Sequence, residues 1–171
     1  MFNIGDTIIY SVHGLCKIDD ICEKPYHGET KTYYVLHPMN DERLTISTPV
    51  DNDKVLMLKM MTEEEATIVL ESFKDPGIAW IEDVKKRNKN YKQLIKSGDR
   101  KEISKVASTL MQREAEAKAS NKRLYDQDRK LLTTIQSILF KELATSLDTT
   151  YENIENKVHQ LVAAANQHSV K

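Results

Sequence analysis

The sequence predicts an α+β chain, with a small antiparallel β-barrel or barrel-like sheet over residues 1–59 and an all-α helical bundle over residues 60–171. Two changes in pattern carry this reading. Up to about residue 60, short β-branched runs alternate with tight turns. From Thr62 onward, apolar residues recur at helical spacing instead. The 171 residues, 40% of them hydrophobic, supply enough apolar material for both parts to bury a core.

Thr7-Ile8-Ile9-Tyr10-Ser11-Val12 is β-branched and apolar, so it reads as the first strand, with His13-Gly14 as the following turn. Residues 15–22 form the second strand, closed by Pro25-Tyr26-His27-Gly28. Thr32-Tyr33-Tyr34-Val35-Leu36 is the third, broken by Pro38-Met39-Asn40-Asp41. Leu44-Thr45-Ile46-Ser47-Thr48 is the fourth and Pro49 stops it, while residues 54–58 supply a short fifth. So small a sheet has no room for a ligand cavity, and its own side chains fill it.

Thr62 and Glu65 form a capping-box pair, and Glu63, Glu64 and Glu65 suit the positive end of a helix dipole. Ala66, Val69, Leu70 and Phe73 mark the apolar face, and Asp75-Pro76-Gly77 ends the helix. A basic segment runs over residues 80–96 until Ser97-Gly98. Asp99 with Glu102 then opens a helix whose face is Ile103, Val106, Ala107, Leu110 and Met111. Residues 114–121 are polar and Ala-rich, without a strong breaker. The next helix carries Leu131, Leu132, Ile135, Ile138, Leu139 and Leu143. Asp148-Thr149-Thr150 starts a last helix bearing Ile154, Val158, Leu161 and Val162. Four or five helices are expected.

The net charge of −1 conceals a strong segregation. Residues 1–84 hold 7 basic and 16 acidic side chains, and residues 85–130 hold 15 and 6. A concentrated basic surface attracts polyanions whatever the total charge, so nucleic acid is the partner class this distribution points to. On a helix, Lys85, Lys89, Lys92 and Lys96 share one face, with Arg87 well around from it. Trp80, the single tryptophan, stands just before Lys85, Lys86, Arg87, Lys89 and Lys92. It reads either as a core anchor or as an apolar wedge flanked by phosphate-binding cations. In the other half, Thr45, Ile46 and Ser47 precede a proline, a natural edge position that either is extended by another protein through strand addition or is a blunted edge with no partner.

Catalytic motifs are absent. The five glycines form neither GxGxxG nor GxxxxGK, and no HExxH, CxxC or GxSxG occurs, so no enzyme activity and no cofactor are expected. His13, Cys16, Cys22, His27 and His37 match no standard zinc spacing, and no metal site is assigned to them. Two cysteines fit a reducing compartment. With no basic-then-apolar leader and no apolar run of about 18 residues, the expectation is a cytoplasmic protein without membrane contact or small-molecule substrate.

The opening Gly5-Asp6-Thr7-Ile8-Ile9-Tyr10-Ser11-Val12-His13-Gly14 resembles the start of the CarD/CdnL-like family of bacterial RNA-polymerase-binding transcription regulators. Leu44-Thr45-Ile46-Ser47-Thr48-Pro49 and Leu94-Ile95-Lys96-Ser97-Gly98-Asp99 resemble two further blocks of that family, in the same order and spacing. The resemblance covers roughly residues 1–147. It implies a Tudor-like N-terminal barrel, shared with transcription-repair coupling factor, that docks on the RNA polymerase β subunit. It also implies a helical domain contacting promoter DNA, minor groove and phosphates, at the upstream edge of the bubble and thereby modulating open-complex stability. In that family a tryptophan acts as the wedge. Counting back from Ser97-Gly98-Asp99, its position falls on Val84, so Trp80 stands one helical turn earlier, about 6 Å along the axis of a continuous helix. Ser47 occupies a site where relatives often carry an arginine, and Lys24 matches another basic contact position. Polymerase contact is thus assigned to Lys24, Thr45, Ile46 and Ser47, and DNA contact to Trp80, Val84, Lys85, Lys86, Arg87, Lys89 and Lys92. The segment beyond Asp148 finds little counterpart, and either packs on the bundle or mediates self-association.

A rival reading in another class is a protein-interaction adaptor whose basic ridge is merely solvated. Salt-sensitive DNA binding separates the two, because only phosphate contacts release counterions.

Overall fold

The computed structural model describes residues 1–10 and 13–168, which divide between Met60 and Met61 into two compact units. Ser11 and Val12, which the sequence adds to the first strand, lie outside the described residues.

The first unit is an antiparallel sheet of five strands, β1 (Thr7–Tyr10), β2 (Gly14–Tyr26), β3 (Glu29–Pro38), β4 (Ile46–Pro49) and β5 (Met57–Lys59). Its strand order is β4-β3-β2-β1-β5. Alternation along the strands sends Ile8, Tyr10, Cys16, Ile18, Tyr34 and Leu36 into one core. The β2–β3 hairpin is longer than the sequence suggests. It continues past Cys22, with Pro25 opposite Thr30, and closes on His27 and Gly28, both at positive φ. Such a two-residue turn matches the twist of its strands, so pairing runs on to the tip and Pro25 does not end it. Between Ile18 and Asp20 the register slips by one residue. The extra residue, Asp19, points its carboxylate at His37 Nδ1, 2.7 Å away.

The second unit is helical: α1 (Glu63–Glu71), α2 (Val84–Lys96), α3 (Arg100–Ala119), α4 (Asp126–Ile135), α5 (Lys141–Ser146) and α6 (Tyr151–His168). A π-helical turn, Gln136–Phe140, joins α4 and α5 into one run. The capping box of α1 is present in both halves: Glu65 N–H donates to Thr62 Oγ1, and Thr62 N–H donates to Glu65 Oε2. Asp99 caps α3, but Glu102 pairs with Lys105 instead of reaching back. The apolar faces read from the sequence converge on one core. Ile154, Val158, Leu161 and Val162 join it, so the segment beyond Asp148 packs on the bundle. No helix among the described residues is long and apolar enough to cross a membrane.

Candidate functional site

The bend at Asp75-Pro76-Gly77 sets where the chain leaves α1. A side chain at residue 77 would place its Cβ 2.1 Å from Thr109 Oγ1 on α3, so only glycine allows this approach. The same hydroxyl accepts from Ile78 N–H at 2.8 Å and donates to Ile78 C=O at 3.2 Å. From there residues 78–83 run without regular structure to α2, which Asp83 caps by accepting from Lys86 N–H. Trp80 therefore sits in this loop and not on the helix. The picture of a wedge displaced by one turn along a continuous helix is corrected, because the cap at Asp83 stops the helix short of it.

Trp80 is half-buried and packs against the helical core with Ile78 and Ile81. Two guanidinium groups approach its ring, Arg87 with its carbon 4.0 Å from the ring centroid and Arg113 at 4.7 Å. Among the described residues its indole N–H has no hydrogen-bond partner, which leaves it free for an outside acceptor.

Arg87 is not part of an exposed basic surface. It is 2% exposed, and its guanidinium grips Asp128 with two bonds, Nε to Oδ1 at 3.1 Å and Nη2 to Oδ2 at 2.6 Å. Its remaining amine, Nη1, donates to the carbonyls of Ile81 and Glu82. The hydrogen bond to Asp128 raises its pKa above the ordinary arginine value, so the charge is held permanently. The expectation that Arg87 meets DNA phosphate is thus corrected, since the group is buried and four of its five N–H donors are used inside the protein. Beneath it Tyr91 is fully buried, with its hydroxyl unpaired among the described residues. Burial pushes that phenol's pKa up, which keeps it neutral.

The opposite side of α2 is a different surface. Lys85, Lys86, Lys89, Lys92 and Lys96 are exposed, and none forms an ion pair among the described residues. The reason is compositional: α2 contains no acid between Val84 and Lys96. On α3 and α4, by contrast, Lys105–Glu102, Arg113–Glu116, Lys118–Glu114 and Arg129–Asp126 pair within one turn. Val84, the first residue of α2, is partly buried, so it presents no prominent apolar tip.

In the first unit β4 terminates the strand order, with Ile46 opposite Leu36 and Ser47 opposite Val35. Thr45 lies just before the strand. Lys24, from β2, passes Tyr33 at 5.7 Å from its ring centroid and donates to Ser47 Oγ at 2.9 Å. The lysine and the serine are thereby brought together on the outer strand. No three or more His, Cys, Asp or Glu side chains form a group suited to a metal among the described residues.

Asp128 and Arg113 are the members of this site that sequence reasoning missed. Arg113 was one of many cations. Asp128 lies in the first turn of α4, where an acid is ordinary, and nothing in the neighbouring sequence marks it as buried.

A Bacillus subtilis (strain 168) protein named as a candidate transcription factor, YdeB, is 28% identical over 161 residues, covering 91% of this chain and 99% of its own. The family model described as the CarD-like/TRCF RID domain matches residues 2–61. The model described as the CarD C-terminal domain matches residues 68–159, further along the chain than the resemblance in the residues reached. With both of its structural units matched in order, and regulators of this kind being non-enzymatic, the chain belongs to the CarD family of transcription factors.

Proposed function

We propose that this transcription factor binds the RNA polymerase β subunit through residues 1–59 and promoter DNA near the upstream edge of the bubble through residues 60–171, and so modulates open-complex stability in the cytoplasm. The observation that carries the DNA half is the unpaired lysine ridge of α2, which opens beside a partly buried tryptophan whose N–H has no partner among the described residues. Lys85, Lys86, Lys89 and Lys92 supply phosphate contacts, and Trp80 supplies the apolar wedge. Val84 is partly buried at the helix start, next to the lysine ridge.

The polymerase half is supported by the outer position of β4, where Ser47, next to Ile46, turns its backbone groups outward and can extend a partner's sheet. Thr45 leads into that strand. Lys24 delivers a cation to the position of Ser47, making up for the arginine missing from residue 47. Any effect on promoter opening is a differential affinity: a hundredfold shift requires about 2.8 kcal/mol of extra binding to the open complex.

The test is a salt titration of promoter-fragment binding together with polymerase pull-down of the full chain. A linear loss of log affinity with log salt, alongside polymerase capture, is the expected result. Polymerase capture with no measurable, salt-dependent DNA binding would leave the adaptor reading in its place.

A further inference from the structure

We infer that Asp128 is a positioning residue for Trp80, acting through Arg87; this rests on the reading of Trp80 as a DNA contact. Burying two opposite charges forfeits their hydration, and a well-packed apolar pair at the same place is often as stable or more so. Arg87 and Asp128 are nonetheless 2% and 1% exposed. Stability is therefore a poor explanation for them, and their geometry offers a better one.

Both carboxylate oxygens of Asp128 are spent on Arg87, and the planar fork of the guanidinium fixes the plane of the group. In that plane Nη1 reaches the carbonyls of Ile81 and Glu82, the residues directly after Trp80. The same group lies 4.0 Å from the indole centroid. A single cation thus holds both the backbone that follows Trp80 and the ring itself. Arg113, from α3, adds a second cation at 4.7 Å. Because the ring is only half-buried, apolar packing alone constrains it incompletely, and the guanidinium contacts supply what is missing. Without Asp128, Arg87 would be an uncompensated buried charge with nothing to fix its plane, and its hold on ring and loop would loosen together.

Trp80 is the only tryptophan beside seven tyrosines, so fluorescence excited selectively at the indole reports this ring alone. Two variants test the inference: Asp128→Asn, and the double variant Arg87→Met with Asp128→Leu, which removes both charges and keeps the volume filled. We expect the double variant to keep its far-UV circular dichroism. Collisional quenching of Trp80 by acrylamide should rise about twofold or more, as the ring loses a contact of cation–π strength. Open-complex lifetime should fall toward that of Trp80→Ala. A folded double variant with wild-type quenching and emission would overturn the inference. So would loss of fold in both variants, since the pair would then be holding the bundle and not the ring. If Trp80→Ala leaves open-complex lifetime unchanged, the DNA-contact reading fails by itself. The quenching measurement, made on free protein, still decides the role of Asp128.

Discussion

The outer strand β4 and the Trp80 corner, the two contact surfaces proposed above, are made on opposite plans. β4 offers backbone, so its recognition rests on groups that nearly every side chain provides, and Lys24 and Ser47 only decorate it. The Trp80 corner offers one ring and a lysine ridge, and the ring owes its place to Arg87, Asp128 and Thr109, which lie in the interior. The first plan tolerates side-chain changes and fails when the backbone changes. The second concentrates its function in a few side chains and in the buried groups behind them.

Four measurements test that contrast. The largest effect belongs to Asp128→Ala, which strands a buried guanidinium and should cost about 3–5 kcal/mol in urea unfolding. A loss below 1 kcal/mol would mean that Arg87 escapes to water and that the corner is less rigid than described. Next, charge reversal of Lys85, Lys86, Lys89 and Lys92 to Glu should lower the slope of log DNA affinity against log salt by roughly 3–4, near 0.9 per lost phosphate contact. Polymerase binding should stay as it was. If the slope is unchanged, the ridge is solvated and does not touch DNA.

Trp80→Ala should cost less than the roughly 3–5 kcal/mol of a fully buried aromatic, because the ring is only half enclosed. A small drop in Tm with a marked loss of open-complex lifetime is expected. A large drop in Tm would make the residue a packing group first. The smallest effects distinguish the β4 plan: Ser47→Pro should remove about 1 kcal/mol of polymerase affinity for each backbone bond lost, whereas Ser47→Ala should be nearly neutral. The reverse ranking would move recognition from the backbone to the Lys24–Ser47 pair.

Much of the fold was legible because local rules governed it. Thr62 and Glu65 cap as their spacing requires, and the face from Ile103 to Met111 is buried throughout. The ridge was legible for the same reason, since Lys85, Lys89 and Lys92 repeat at the helical period. The Trp80 corner was not. Arg87 and Asp128 are 41 residues apart, and charged residues are by default assigned to solvent, so no periodicity joins them. The start of α2 was missed although Asp83 carries a helix-cap signal, because the basic run distracted from the acid that precedes it. Pro25 misled in the other direction, being read as a turn where it lies within a long hairpin.

Gly77 and Thr109 turn the loop to α2 into a ruler. One end is pegged where no side chain fits, and the other is tied to the Arg87 guanidinium at Ile81 and Glu82. With both ends held, the reach of the indole is a matter of residue count: adding one residue between 77 and 80 introduces about 3.3–3.6 Å of slack. Loop length is accordingly a parameter that insertion and deletion can tune in single steps, without altering a side chain in the core or a lysine on the ridge. A series of chains lengthened one alanine at a time would read out how the reach of this ring governs the proposed DNA contact.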